Sequence, residues 1–105
     1  MSMKLKVGKV NSVIENKFFK ISTRDTEICL TKIGSDIYAF EDICSHDGES
    51  ISEGKLENNC IVCPRHLAKF DLKTGEALCM PATEPIRIFP VRIVGDEIEL
   101  EMEDF

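Results

Sequence analysis

Residues 44–66 of the chain read CSHDGESISEGKLENNCIVCPRH. This stretch begins with Cys44-Ser45-His46 and ends with Cys63-Pro64-Arg65-His66, and sixteen residues separate the two motifs. His46 and His66 are the only two histidines of the protein. Each motif therefore offers one thiolate and one imidazole from a short loop, and two such loops that face each other could surround a metal centre.

The sequence around these motifs predicts loops that are carried by a β scaffold. Gly, Asn, Asp and Pro recur at turn-forming positions from about residue 41 to residue 85. Outside this region, alternating hydrophobic segments predict strands at residues 4–10, 18–23, 27–33, 37–40, 86–94 and 97–102. We therefore expect an all-β fold, a small antiparallel β-sandwich or barrel formed by residues 1–40 and 86–105, with a loop-rich subdomain inserted at about 41–85.

Length and composition limit the class of protein. A chain of 105 residues is enough for one core, so we expect residues 1–105 to form a single domain. Hydrophobic residues make up 43% of the chain, which excludes a disordered protein, and no apolar stretch approaches the roughly 20 residues of a membrane span. The first residues lack the apolar run of a secretory signal, which predicts a soluble, cytoplasmic protein. A net charge of −6 argues against nucleic acid and favours protein partners.

Two further patterns concern the acidic end of the chain and the remaining cysteines. Glutamates alternate with hydrophobic residues from residue 97 to residue 103, which predicts a strand with one solvated acidic face. Five cysteines in a cytoplasmic protein are expected to be ligands or core residues rather than a disulfide framework. Cys29 fits a buried position in a strand. We assign no functional role to Cys29, Cys60 and Cys79.

Several motifs in order resemble the Rieske domain, and the short length resembles its ferredoxin members. They are Cys-x-His, sixteen residues, Cys-Pro-x-His, and then Lys69-Phe70-Asp71, Thr74-Gly75 and Pro81-Ala82. The resemblance covers residues 42–90, and outside them only the β pattern is compatible. It implies one Rieske-type 2Fe-2S cluster, with Cys44 and Cys63 on one iron and His46 and His66 on the other.

The resemblance also implies a function. A Rieske ferredoxin is a soluble one-electron carrier, which would pass electrons from a reductase to a terminal oxygenase or another oxidoreductase. A complete oxygenase needs a further iron site, commonly two histidines and one carboxylate, and both histidines are already used. We therefore expect an electron-transfer protein and not an enzyme. The sequence does not predict its oligomeric state.

Three alternatives remain open. Two cysteines and two histidines also make a structural zinc set, as in an interaction module, although zinc fingers usually place the histidines together on a helix. Cys60 and Cys63 could form a redox dithiol, but that motif needs a helix N-terminus and residues 59–63 have the pattern of a strand. A cluster-bearing sensor or regulatory subunit would carry the same ligands as an electron carrier.

The second motif departs from the family pattern in ways that bear on its chemistry. High-potential members resemble Cys-Pro-Cys-His-Gly-Ser followed by Tyr, whereas this chain has Arg65, Leu67, Ala68 and Phe70 at the corresponding places. Those members also have an extra disulfide that links the two cluster loops, and Glu49 stands where the extra cysteine of the first loop would be. Two hydroxyl donors and this disulfide are therefore missing, which predicts a potential at the low end of the Rieske range. Leu67 replaces a glycine, so a positive φ at this residue would be strained. Arg65 could contact a partner or be an ordinary surface residue.

Overall fold

In the computed structural model, the described residues are 2–24, 26–44, 48–64, 67–80 and 84–103. The strands are β1 Ser2–Lys9, β2 Phe19–Ser22, β3 Glu27–Ile33, β4 Asp36–Glu41, β5 Lys55–Glu57, β6 Cys60–Val62, β7 Lys69–Asp71, β8 Ala77–Cys79, β9 Ile88–Phe89, β10 Val91–Val94 and β11 Glu97–Glu103. Within these residues the only helical element is the 3-10 turn Val10–Ser12. None of their helices is long and apolar enough to cross a membrane. The predicted all-β class is confirmed.

The strands form three antiparallel sheets. The scaffold sheet has the strand order β1-β11-β10, the central sheet has β2-β3-β4-β9, and the loop sheet has β5-β6-β7-β8. The loop sheet is built from one continuous part of the chain, residues 55–79, whereas the other two sheets combine strands from both ends. Consecutive strands of the loop sheet pair as neighbours, so this part of the chain needs few long-range pairings to form.

The central sheet is buried on both faces, and this explains the alternation in β3. Side chains of successive strand residues point to opposite faces. Ile28 and Leu30 belong to the scaffold core, which consists of Val13, Ile28, Leu30, Ala39, Phe89, Ile98 and Leu100. Cys29, between them, belongs to the loop core, which consists of Cys29, Phe40, Cys44, Ile51, Ile61, Cys63, Ala68, Phe70, Leu72 and Ile86. The central sheet thus lies between the scaffold and the region that contains both cysteine motifs.

One predicted strand is wrong in its extent. Residues 86–94 were expected to form a single strand, but Pro90 divides them into β9 and β10, which belong to different sheets. Proline has no N–H to donate to a strand ladder, so regular pairing ends there. The carbonyl of Pro90 still accepts a hydrogen bond from the Glu101 N–H at 3.0 Å. The break lets one segment connect the central sheet to the scaffold sheet.

The acidic strand β11 is the centre of the scaffold sheet. Its alternation is confirmed, because Ile98 and Leu100 are buried in the scaffold core. Its glutamates, however, lie opposite lysines of β1 in the pairs Lys4–Glu101, Lys6–Glu99 and Lys9–Glu97. Opposite charges at directly paired positions contribute roughly 0.2–1 kcal/mol each. This row of acids is therefore compensated within the sheet.

Candidate metal centre

The two predicted cysteine ligands lie in the same core. Cys44 and Cys63 are both fully buried and both belong to the loop core, although eighteen residues lie between them in the sequence. Cys44 follows the end of β4, and Cys63 directly follows β6. His46, His66 and Arg65 lie outside the described residues. Among the residues that are described, no group of three metal-ligating side chains is present.

The loops that begin at these cysteines have the same backbone hydrogen bonds. In the first loop the Cys44 N–H donates to the Glu49 carbonyl at 2.8 Å, and the Gly48 N–H donates to the Cys44 carbonyl at 2.8 Å. In the second loop the Cys63 N–H donates to the carbonyl of residue 68 at 2.7 Å, and the Leu67 N–H donates to the Cys63 carbonyl at 2.9 Å. We call these the first and second cysteine loops, residues 44–49 and 63–68.

The fourth residue after each cysteine has a positive φ. Gly48 has φ +75° and Leu67 has φ +60°. Glycine adopts this left-handed conformation without strain, whereas a side chain meets the backbone carbonyl at a cost of roughly 1–2 kcal/mol. The strain expected at Leu67 is therefore present, at the position that corresponds to Gly48 in the first loop. Aligning the two motifs on their cysteines would have revealed this equivalence from the sequence.

We predict that Leu67→Gly is more stable than Leu67→Ala. The Leu67 side chain is 67% exposed, so its removal sacrifices little packing. Alanine keeps the left-handed strain and glycine releases it, which should give a difference of about 1 kcal/mol in the free energy of unfolding. Denaturant unfolding of the two variants measures this difference directly. Equal stabilities would mean that residue 67 does not hold a positive φ in solution.

A buried carboxylate closes the first cysteine loop. Oδ1 of Asp42 accepts hydrogen bonds from the backbone N–H groups of Ile51 at 2.9 Å and Ser52 at 2.7 Å. The hydroxyls of Ser50 and Ser52 donate to the same carboxylate at 2.9 Å, and Nζ of Lys20 lies 3.4 Å from Oδ2. The Asp42 side chain has no exposed surface, while that of Lys20 is half exposed. The sequence analysis did not identify this residue, although Ser-Ile-Ser is a recognisable source of closely spaced donors.

This environment holds Asp42 in its charged form. Burial raises the pKa of the carboxyl, but the hydrogen bonds from Ser52 and Ser50 and the charge of Lys20 lower it by more. The net effect places the pKa of Asp42 below its usual value. A carboxylate that accepts several hydrogen bonds is therefore a stable component of this loop.

Gly54 lies at a close contact between two segments, the one that follows the first cysteine loop and the one that precedes the second. A Cβ atom at Gly54 would lie 1.9 Å from the Val62 carbonyl oxygen and 3.2 Å from the Ile51 carbonyl oxygen. Val62 directly precedes Cys63, and Ile51 lies two residues beyond the first loop. Only glycine allows this approach, and a turn signal in the sequence does not reveal it.

The three remaining cysteines have different environments. Cys29 is fully buried as expected, and burial, with the nearby charge of Asp42, raises the pKa of its thiol to about 12. Cys60 is half-buried and Cys79 is exposed, so the expectation that every thiol is a ligand or a core residue is wrong for Cys79. Both lie on strands that flank β7 in the loop sheet, where Cys60 pairs with Asp71 and Cys79 pairs with Lys69.

We predict an order of thiol labelling in the native protein. An alkylating reagent should modify Cys79 first and Cys60 more slowly, because burial and the charge of Asp71 raise the pKa of Cys60. Cys29 should remain unmodified until the protein unfolds, since it is both buried and protonated. Peptide mass spectrometry after timed labelling measures the order. Early modification of Cys29 would contradict the two-sided burial of the central sheet.

Comparison with known proteins identifies the family. The family model described as the Rieske [2Fe-2S] domain matches residues 3–90. The chain therefore belongs to the Rieske [2Fe-2S] domain family. Two similar relatives are the 3-phenylpropionate/cinnamic acid dioxygenase ferredoxin subunits of Shigella boydii and Escherichia coli, each 43% identical over 96 residues, with 90% of both chains covered.

Solved structures show the same fold. A ferredoxin chain in a complex of reduced oxygenase and oxidised ferredoxin of carbazole 1,9a-dioxygenase has a TM-score of 0.85 and 28% identity, covering 92% of this chain and 91% of its own. The carbazole 1,9a-dioxygenase ferredoxin of Nocardioides aromaticivorans has a TM-score of 0.85 and 24% identity, covering 92% and 95%. The predicted Rieske fold is confirmed, and the protein is an electron carrier of the ferredoxin type.

The cofactor is a Rieske-type 2Fe-2S cluster, and the described part of the site suits it. Iron in such clusters is bound by thiolates, and Cys44 and Cys63 supply two from one apolar core. Because each cysteine begins a loop with the same hydrogen bonds, the two sulfur atoms are held by equivalent backbone geometry. When bound, the cluster accepts and releases one electron.

Proposed function

We propose that Cys44 and Cys63 bind one iron of the cluster and that His46 and His66 bind the other. The observation that carries this assignment is that both buried cysteines belong to one core. Each of them also begins a loop with the same pattern of backbone hydrogen bonds. His46 and His66 follow them by two and three residues. Such short spacings allow each loop to supply one thiolate and one imidazole, which is the ligand set of a Rieske centre.

We further propose that residues 1–105 act as one domain that carries single electrons in the cytoplasm from a reductase to a terminal oxygenase. Relatives with 43% identity are dioxygenase ferredoxin subunits, and a structural neighbour with 28% identity is seen in complex with its oxygenase. The chain spans 90% of those relatives. The relatives therefore favour a dioxygenase that acts on an aromatic compound as the electron acceptor.

The test of this proposal combines metal analysis with spectroscopy. The purified protein should contain two irons and two acid-labile sulfides per chain, and after reduction it should give the paramagnetic resonance signal of a histidine-ligated 2Fe-2S cluster. It should then mediate electron flow from a reductase to an oxygenase. A colourless protein that contains zinc would support the interaction-module alternative. A cluster that no reductase reduces would favour a sensor or regulatory subunit.

We predict a low reduction potential that rises when hydroxyl donors are restored. Ala68 and Phe70 stand where high-potential members have Ser and Tyr, and both are buried in the loop core. The wild-type potential should lie near the low end of the Rieske range, about −150 mV. In Ala68→Ser/Phe70→Tyr, each new hydrogen bond worth about 1.4 kcal/mol to the reduced state would raise the potential by about 59 mV. Voltammetry measures the shift.

The matched control for this prediction is Ala77→Ser. Ala77 packs against the loop core from β8 and lies outside both cysteine loops. A serine there adds a hydroxyl without placing it in either cysteine loop, so the potential should stay unchanged. An equal shift in both proteins would show that general polarity, rather than hydrogen bonding from residues 68 and 70, controls the potential.

A further inference from the structure

The two cysteine loops are closed at their bases in different ways. Val62 and Lys69, which flank the second loop, form a ladder pair between β6 and β7. This pair fixes both ends of the loop as in an ordinary hairpin. The first loop has no such pair, because β4 ends at Glu41 and β5 begins at Lys55. Some other interaction must therefore hold the segment after the first loop beside the segment before it.

The Asp42 carboxylate takes the place of the missing strand pair. Its Oδ1 accepts the consecutive backbone N–H groups of Ile51 and Ser52 at 2.9 and 2.7 Å, and so holds this segment beside the end of β4. The hydroxyls of Ser50 and Ser52, joined to each other at 2.9 Å, complete the contact. The two N–H groups donate to Oδ1, and the two serine hydrogens are shared between the carboxylate and the contact between the hydroxyls. A carboxylate has enough lone pairs to accept from the N–H groups and the hydroxyls together.

Asp42 is itself anchored to the central sheet. Its backbone N–H donates to the Glu27 carbonyl of β3 at 2.9 Å. On the other side, the Ile51 side chain is fully buried in the loop core together with Cys44 and Cys63. The carboxylate therefore connects the central sheet, through one residue, to the segment that packs against both cysteines.

We propose that Asp42 is a positioning residue for the cluster, which fixes the first cysteine loop and so places Cys44 relative to Cys63. This inference rests on the proposed function, because it concerns the residues proposed there as ligands. Asp42 lies two residues before Cys44 and eight to ten residues before its hydrogen-bond partners at residues 50–52, so these bonds span the whole first loop. Among the described residues, the backbone bonds from Cys44 to Glu49 and from Gly48 to Cys44 lie within the loop and do not tie it to residues 50–52.

Two substitutions of Asp42 separate the effect of its hydrogen-bond geometry from the effect of its negative charge. Asp42→Ala removes every acceptor and releases the segment at residues 50–52. Asp42→Asn keeps one carbonyl oxygen for the two N–H groups, but a neutral acceptor makes weaker hydrogen bonds than a carboxylate. The control is Thr31→Val. Thr31 is fully buried and donates to the Lys17 carbonyl at 2.9 Å, so its loss weakens the fold outside both cysteine loops.

The experiment measures hydrogen exchange, iron retention and the resonance signal of the purified cluster-bearing proteins. In Asp42→Ala, the peptide that contains residues 50–52 should exchange at least about tenfold faster than in the wild type. Iron should be lost to a chelator several times faster, and the paramagnetic resonance signal should broaden as the ligand geometry varies. Asp42→Asn should be intermediate in exchange rate, rate of iron loss and signal width. Thr31→Val should match the wild type in all three quantities despite its lower stability.

Each possible result either supports or overturns the proposed role of Asp42. If Asp42→Ala does not fold, Asp42→Asn is compared with Thr31→Val, and faster exchange and faster iron loss in Asp42→Asn support the proposal. Rates and signals equal to those of the wild type would overturn it. A wild-type protein without a 2Fe-2S signal would instead overturn the proposed function, so the two failures are distinguishable.

Discussion

Replacing Cys63 with alanine is expected to yield a protein with little iron and no 2Fe-2S resonance signal. Loss of groups that merely support a metal ligand commonly lowers metal affinity by about 10–100-fold, and loss of a thiolate ligand should exceed this. Cys63 is fully buried and begins the second cysteine loop, so its replacement removes one of the two thiolates that we propose as iron ligands. Iron analysis and paramagnetic resonance of the purified variant measure the loss.

The matched control is Cys60→Ala, three residues earlier. Cys60 is half-buried on β6 and pairs with Asp71, away from the loop core. This variant should keep the iron content and signal of the wild type. The pair of variants also tests the dithiol alternative, because a Cys60–Cys63 redox couple would be lost equally in both. Loss of the cluster in Cys60→Ala alone would contradict the ligand assignment.

The sequence predicted the fold class because two periodic signals were strong. The alternating segments at residues 27–33 and 97–102 correspond to strands β3 and β11. The segment at residues 37–40 lies in β4, which pairs with β3 across a turn where Gly34 has φ +64°. A continuous hydrophobic run across Pro90 predicts one strand, but hydrophobicity does not report which sheet a strand joins, and β9 and β10 belong to different sheets.

Features that depend on three-dimensional proximity were not predictable. The role of Asp42 requires that residues 50–52 return to the end of β4, and no local pattern specifies that return. The sequence indicates that Leu67 replaces a glycine, but only the loop geometry shows that Leu67 has a positive φ. The candidate ligands, in contrast, could be identified by the family resemblance, because their spacing is visible in the sequence without knowledge of the fold.

Gly54→Ala is expected to destabilise the protein by about 3 kcal/mol or more and to weaken cluster binding. The added methyl group would lie 1.9 Å from the Val62 carbonyl oxygen, a backbone atom that cannot rotate away. Overpacking in a well-packed region typically costs about 1–3 kcal/mol, and a clash with backbone belongs at the upper end or beyond. Relief requires the segment after the first cysteine loop to move away from the base of the second.

The contrast with Gly34→Ala separates this steric effect from backbone conformation. Gly34 has φ +64° and open space around its Cα, so alanine there should destabilise by only about 1–2 kcal/mol and leave the cluster intact. Gly54 is not among the residues with positive φ, so its cost comes from the contact alone. Denaturant unfolding and iron retention of both variants measure the two effects. If Gly54→Ala is no less stable than Gly34→Ala and retains iron equally well, the two cysteine loops are not held together by the close approach at Gly54.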